Sequence, residues 1–335
     1  MLGTGREAGS DTGGFPVYRG EGPLPAGLRG AVAAIGNFDG LHRGHQAVLA
    51  EAVRLAGQLA TRAVLLTFDP HPRLFFRPET VLFRLTPGDL KLAVAHRLGL
   101  GGAIVLPFDR ELAATSAGEF VARRLAGDLA LRGVVVGHDF HFGRGREGSP
   151  AFIAEAGLAA GLAVEVVRPL TEGGEPVSSS AIRSLLREGH VGLAASLLGY
   201  RWIVRSVVQH GEKRGRELGF PTANLRLEAD CELEHGIYAV RIAIDGAVHG
   251  GVASFGRRPT FDNGAPLLEV YLFDFSGDLY GRRADVEFVS WIRGEEKFSS
   301  VQALVERMRV DEALARAAIE RAGAGEGMPS LLPLP

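Results

Sequence analysis

Along the first half of the chain, apolar positions come in short runs separated by amphipathic stretches. Residues 31–35, 63–68, 103–106, 134–137 and 163–167 are apolar or β-branched, too short for helices, and read as buried strands. Between them, residues 46–59, 89–98, 116–125 and 151–160 have helical spacing; in the first, Val48, Leu49, Ala52, Val53 and Leu55 share one side. This alternation predicts a parallel sheet covered on both faces, with ligands at the carboxyl ends of its strands. The pattern changes after Tyr200. Residues 202–208, 236–244, 248–255, 267–275 and 284–291 are strand-like with no helix between them, and another strand begins after Pro221. Val270 and Leu272 oppose Glu269, Tyr271 and Phe273, while Val286 and Phe288 oppose Asp285 and Glu287. Consecutive strands of this kind predict an antiparallel barrel. A helix over 299–322, with Val301, Leu304, Val305 and Met308 on one face, closes the pattern. Residues 184–199 read as a helical connector. The expected organisation is a mobile tail over 1–15, an α/β domain over 16–187, a β domain over 188–323, and a loose tail over 324–335.

Composition narrows the function classes. With 335 residues, 46% hydrophobic and 23% charged, and a net charge of −2, the chain suits an ordinary globular protein rather than a nucleic-acid binder. No apolar run approaches the roughly 18 residues of a membrane span, and no signal peptide is visible. A single cysteine, Cys231, fits a reducing cytoplasm. Glycine is frequent, 46 residues, nearly twice the usual share of ~7%. Of 37 basic residues only Lys91, Lys213 and Lys297 are lysine, and in so arginine-rich a chain a retained lysine hints at a reason.

Several segments carry candidate chemistry. Residues 36–45 read GNFDGLHRGH and join a predicted strand to a predicted helix, with His42 and His45 near the helix start. Unpaired backbone N–H groups and the helix dipole favour a phosphate there, and two imidazoles add donors. A glycine-rich turn with a capping histidine pair is the plainer alternative, and zinc a third. The segment has neither the lysine ending of a Walker loop nor G-x-G-x-x-G. The loops TFDPHP, from residue 67, and GHDFHFGRGR, from residue 137, follow other strands and should converge on the same crevice. Ser178 to Arg183 (SSSAIR) opens another helix, as a second phosphate cradle or a plain N-cap. Residues 211–224 read GEKRGRELGFPTAN. Gly211, Gly215 and Gly219 would let this loop fold over an anion, with Lys213, Arg214 and Arg216 meeting its charge; a basic hairpin tip is the alternative. Thr222 and Asn224 alternate out of the strand after Pro221, so both oxygens can face one Mg²⁺. Glu269, mid-strand, is either an outward edge residue or a partly buried general base.

From about residue 17 to 322 the chain resembles the bacterial bifunctional riboflavin kinase/FAD synthetase family. The blocks GNFDGLHRGHQ, TFDPHP, VVGHDFHFGRGREG, VSSSAIRSLLREG and GEKRGRELGFPTANL carry the match, and GGVASFGRRPTF, LLEVYLFDFSGDLYG and WIRGEEKF extend it. The resemblance implies a nucleotidyltransferase-type Rossmann-like domain that joins FMN and ATP into FAD and pyrophosphate. It also implies a six-stranded riboflavin-kinase barrel with a terminal helix, which phosphorylates riboflavin to FMN. By similarity, His42 and His45 would stabilise charge on the ATP phosphates and Gly36, Asn37 and Phe38 would line the nucleotide pocket. Ser179, Ser180 and Arg183 would hold the pyrophosphate end, and Asp139 and Phe140 would lie near the flavin. In the kinase, the loop from Gly211 through Lys213, Gly215, Arg216 and Gly219 to Pro221 would bind ATP. Thr222 and Asn224 would bind Mg²⁺, Glu269 would act on the ribityl hydroxyl, and Arg293 would border the flavin.

The chain departs from the family pattern at Ser254, commonly Asn, at Tyr271, often His, and at His138 and His141. Competing readings are a barrel or sheet domain reduced to flavin binding, a nucleotide sensor without turnover, and a nucleotidyltransferase for another small phosphate. Riboflavin, FMN and ATP are the expected partners, with weak self-association, no nucleic acid and no membrane.

Overall fold

The computed structural model describes residues 14–172, 175–210, 220–257, 266–323 and 330–335. They form two compact units. One runs to Thr80 and resumes over Lys91–Val177; the other comprises Val81–Leu90 and the chain from Ser178 onward.

The sheet of the first unit holds β1 (Val17–Tyr18), β2 (Val32–Ile35), β3 (Ala63–Asp69), β4 (Ala103–Pro107), β5 (Gly133–Gly137) and β6 (Ala163–Val167). Their order is β1-β4-β3-β2-β5-β6, and every pairing is parallel. The five expected strands are present; β1 is too short to leave a sequence signal. Val32, Ala33, Ala34 and Val134 to Val136 are fully buried, because helices cover both faces, and so these strands read as continuous apolar runs rather than alternating ones. The helix α1 (Arg43–Gln58) covers one face with Val48, Leu49, Ala52 and Leu55. Val53, assigned to that face from spacing, is 42% exposed and points outward. Then come α2 (Pro72–Phe76), α3 (Gly88–Arg97), α4 (Arg110–Ala114), α5 (Ala117–Glu119), which continues as a wider π-type turn over Phe120–Asp128, and α6 (Pro150–Ala159). Phe120, Val121 and Leu125 pack with Leu28, Ile35 and Val136 in the main core. A hairpin of β7 (Thr171–Glu172) and β8 (Glu175–Pro176) follows. The chain steps from β2 outward to β3 and β4, then returns to the other side of β2 for β5 and β6. The switch point between β2 and β5 is where such sheets bind ligands.

In the second unit, α7 (Ser179–Arg187) and α8 (Val191–Leu198) occupy the expected connector, and α7 starts earlier, at Ser179. They part at Gly189, whose φ is +74° and where a Cβ would come 2.7 Å from the Trp291 ring. The barrel holds β9 (Ile203–Gln209), β10 (Thr222–Arg226), β11 (Gly236–Ile244), β12 (Ala247–Arg257), β13 (Pro266–Leu272) and β14 (Arg283–Arg293). It closes in the order β10-β13-β12-β11-β14-β9, antiparallel throughout. Asp245 and Gly246, with φ of 50° and 81°, form the two-residue turn between β11 and β12 that matches strand twist. β13 ends at Leu272 rather than near 275, since Asp274 turns into the left-handed region at φ 53°. The last helix, α9 (Val301–Gly323), lays Ala315, Ala318 and Ile319 on the barrel's outer face against Ala239, Val252 and Phe273.

Aromatic rings anchor the segment Val81–Leu90 to this unit. Trp202 stacks on Phe288 at 5.1 Å, meets Phe83 edge-on at 5.7 Å, and donates its indole N–H to the Leu85 carbonyl at 3.0 Å. Trp202→Phe keeps a ring in place but removes the indole donor from that buried carbonyl, an expected loss of about 1–3 kcal/mol. The check is urea unfolding followed by fluorescence of Trp291, the other tryptophan, which lies in the same unit. An unchanged midpoint would show that the bond contributes nothing.

Candidate active sites

In the first unit, the loop after β2 must reverse direction within a few residues to start α1 beside the strand end. It does so through left-handed backbone at Phe38 (φ 49°), Gly40 (φ 84°) and Leu41 (φ 41°). Two of these are not glycine, so the turn carries strain that its surroundings have to hold. The Asn37 carbonyl is the anchor. It accepts from the Thr67 hydroxyl at 3.2 Å and from the Lys91 ammonium at 2.6 Å, while Gln46 Nε2 donates to the Leu41 carbonyl at 2.9 Å. Gly36 is needed because a Cβ would come 3.2 Å from the Phe38 ring.

His42 is the N-cap of α1: its Nδ1 accepts from the His45 backbone N–H at 3.3 Å. The two imidazoles stack at 3.7 Å with their planes 19° apart, and Phe38 meets His45 edge-on at 5.2 Å. His42 is buried and His45 half-buried. Burial, then the neighbouring His42, then Lys91 hold the His45 pKa well below 6.5, so His45 is neutral at physiological pH. His45 thus presents a neutral ring beside His42 and the backbone amides at the positive end of a helix, a setting for anionic oxygens.

β3 and β5 flank β2, so the loops after all three leave the same end of the sheet. The loop after β5 presents Asp139 at the surface and the half-buried Phe140, stacked on Phe142 at 5.2 Å. His141 Nδ1 lies 2.9 Å from the Asp139 carbonyl.

Ser179, Ser180 and Arg183 fall in the second unit, on α7. Ser178 caps that helix, its hydroxyl accepting from the Ala181 N–H at 3.3 Å. Arg183 is buried and donates its Nε to the Phe83 carbonyl at 2.6 Å, so part of its guanidinium holds the Val81–Leu90 segment.

On the barrel, Asn224 of β10 and Ser254 of β12 are the cross-strand partners of Glu269, and Thr222 is the partner of Tyr271. Leu268 and Val270 point into the barrel and are fully buried, which turns Glu269 and Tyr271 to the outer face, both half-buried. β13 lies between β10 and β12, so Glu269 is not on an edge strand. Directly opposed side chains in such a row have Cβ atoms about 5 Å apart. Asn224 donates its Nδ2 to the Thr222 carbonyl at 3.4 Å, which turns its amide oxygen the other way. Pro221 precedes β10. Gly211, Lys213, Gly215, Arg216 and Gly219 lie outside the described residues. Arg293 is bound to Asp311 of α9 by three contacts, at 3.0, 3.1 and 2.6 Å, a tie between the barrel and its last helix. Sequence reasoning passed over Asp311, which carries no motif; Thr67 opens the TFDPHP block but was given no role of its own, and for Lys91 the one signal was the scarcity of lysine.

Two family descriptions fit successive parts of the chain: FAD synthetase over residues 24–181 and riboflavin kinase over residues 198–319. A protein of Pseudomonas fluorescens named bifunctional riboflavin kinase/FMN adenylyltransferase is 42% identical over 86% of this chain and 93% of its own length. The chain belongs to this bifunctional family. Its relative of the same name in Escherichia coli K12 is 36% identical over 86% of the chain and 92% of its own, and that of Bacillus subtilis 34% identical. A solved structure titled a macrolide-efflux protein from Streptococcus pneumoniae is similar in fold, with a TM-score of 0.77 at 30% identity, covering 86% of this chain and 94% of that one. As a family member, the chain is an enzyme with riboflavin kinase activity on its C-terminal side and FMN adenylyltransferase activity on its N-terminal side.

The depressed His45 pKa has a consequence for this bifunctional enzyme. Below 6.5 the unfolded chain takes up a proton that the folded form resists, so the contribution of His45 is present above that value and lost as pH falls beneath it. From about pH 7.5 to about pH 5, far-UV circular dichroism melts of the wild type should lose stability more steeply than those of His45→Gln. Parallel profiles would show that His45 titrates alike in both states.

Proposed function

We propose a division of the two activities among specific residues. His42 and His45, with the α1 amides and the Gly36–Asn37–Phe38 turn, bind the ATP phosphates for adenylyl transfer. There an FMN phosphate oxygen attacks the α-phosphorus, the bond to the leaving pyrophosphate breaks, and neutral imidazole N–H groups and amides meet the developing charge. Asp139 and Phe140 serve the flavin in this half, and Ser179, Ser180 and Arg183 its pyrophosphate. On the barrel, Glu269 takes the proton of the terminal ribityl hydroxyl as its oxygen attacks the γ-phosphorus and ADP leaves. Arg293 borders the flavin, and the segment from Gly211, Lys213, Gly215, Arg216 and Gly219 to Pro221 binds ATP. The functional boundary is put near residue 187, supported by the family matches ending at 181 and resuming at 198.

Thr222 and Asn224 are the proposed Mg²⁺ residues. A hydroxyl and an amide oxygen from alternate positions of one strand are hard donors, and Mg²⁺ takes few protein ligands beside substrate phosphates. When bound, the ion would neutralise charge on the transferring phosphates. Weak self-association and a cytoplasmic location complete the proposal; the latter is supported by a single cysteine, Cys231, buried and with its pKa pushed up to about 12 by desolvation.

The observation that carries the division is that the histidine pair and Glu269 stand on different units, each within a polar cluster of its own. Purified enzyme given riboflavin, ATP and Mg²⁺ should yield FMN first and FAD later in a chromatographic time course. Glu269→Gln should cut FMN formation by roughly 10²–10⁴-fold while FAD still forms from supplied FMN. His42→Ala should cut FAD formation by roughly 10²–10³-fold and spare FMN formation. Both activities falling together in either variant would refute the division.

A further inference from the structure

Lys91 is one of three lysines in the chain and the roles above leave it unused. Its ammonium group donates to the Asn37 carbonyl at 2.6 Å and to the Thr67 hydroxyl at 3.4 Å, and Thr67 donates to the same carbonyl at 3.2 Å. Thr67 is buried on β3, and Lys91 projects from α3, so two elements far apart in sequence grip one peptide of the loop. That peptide leads directly into Phe38, the first of the left-handed residues, whose ring packs under Gly36 and edge-on against His45.

We propose that Lys91 is a positioning residue for FMN adenylylation, acting through the Asn37 carbonyl and the Phe38 ring to hold His45 in register with His42. The proposal rests on the reading that the histidine pair serves adenylyl transfer. A neutral donor could make the same hydrogen bonds, so charge is the separate point. The ammonium lies close enough to His45 to disfavour a second cation there, and it opposes protonation together with His42. These two are the charged or titratable groups acting on the His45 ring; Phe38, packed against its edge, carries no charge. Lys91 thus fixes both the place and the protonation state of the imidazole.

The test uses the full chain and compares Lys91→Met, Lys91→Gln and Lys91→Arg, with FMN formation from riboflavin as an internal control in each preparation. Lys91→Met should lower kcat for FAD formation by roughly tenfold to a hundredfold, more than it raises KM for ATP, and leave FMN formation within about twofold. Losing the ammonium lets His45 protonate more easily, so the acid limb of the FAD pH–rate profile should move to higher pH. Lys91→Gln should show the same shift with a smaller fall in kcat, and Lys91→Arg should restore the limb. In a His45→Gln background, Lys91→Met should cost far less than alone, since both act through one ring. An unshifted acid limb, or full additivity with His45→Gln, would overturn the proposal even if the rate falls. Loss of FAD formation in His42→Ala beside wild-type behaviour in Lys91→Met would overturn it while sparing the histidine reading. FAD formation that survives His42→Ala would remove that reading, and the proposal with it.

Discussion

The carbonyl of Asn37 is where the nucleotide half of this enzyme is fastened. A strand that ends beside its parallel neighbours must turn back sharply to begin α1, and the turn runs through left-handed backbone at two residues that do not favour it. Strained turns persist when the surroundings over-determine them. Here the determinants are Thr67 from β3 and Lys91 from α3, converging on one oxygen, with Gln46 closing the far side on Leu41. With the turn held, His42 caps α1, His45 stacks on it, and Phe38 fills the space that Gly36 leaves. The turn's stability and the placing of the histidine pair are one requirement here.

The barrel solves a different problem. Alternation sends Leu268, Val270, Val286 and Phe288 inward, so every polar residue between them must find a use on the outer face. Much of that face is occupied by α9, which approaches closely where Gly250 spares room: a Cβ there would come 3.3 Å from Ile319. Arg293 and Asp311 fasten the helix near its middle, and Arg316 lies over the Phe273 ring at 4.2 Å while pairing with Asp274 and Glu312. The row through Asn224, Glu269 and Ser254 lies on the same outer side, on β10, β13 and β12, the last of which the helix also covers.

Legibility followed the range of the interactions. The strands expected at 163–167 and 236–244 have those bounds, and the closing helix, expected over 299–322, runs from Val301 to Gly323, since a long helical period is hard to miss even where its ends blur. The pair Val17–Tyr18 was invisible, as a two-residue strand has no period to read. Val53 looked apolar-facing and is not; local spacing cannot say where a helix face ends. The break at Gly189 depends on a Trp291 ring some hundred positions later, and the membership of Val81–Leu90 in the second unit depends on Trp202 and Arg183. Motif reading singled out the histidines, Glu269, Thr222 and Asn224 as candidates, since those residue types announce a chemistry. It could not find Asp311, whose work is to hold a guanidinium, and it gave Thr67 of TFDPHP no role, because holding a carbonyl leaves no sequence signal.

The barrel's carboxylates show why position rather than residue type separates support from chemistry. Asp285 is buried against Arg205 in two contacts of 2.6 and 2.8 Å, and Asp311 against Arg293. Glu287, fully buried, gathers Arg241 at 3.4 Å, Arg201 at 3.9 Å and the Ser330 hydroxyl, with burial pushing its pKa up against their pull. Removing one partner from such pairs leaves an uncompensated charge, so these acids are fixed in their roles. Glu269 stands on the same outer face, yet its cross-strand neighbours are Asn224 and Ser254, both neutral. A carboxylate opposite an amide and a hydroxyl meets neutral hydrogen-bonding groups, whereas one clamped by guanidinium groups is held by charge. The strand register, by setting which residues stand opposite an acid, therefore ties Asp285 to Arg205 and sets Glu269 in a row of neutral partners.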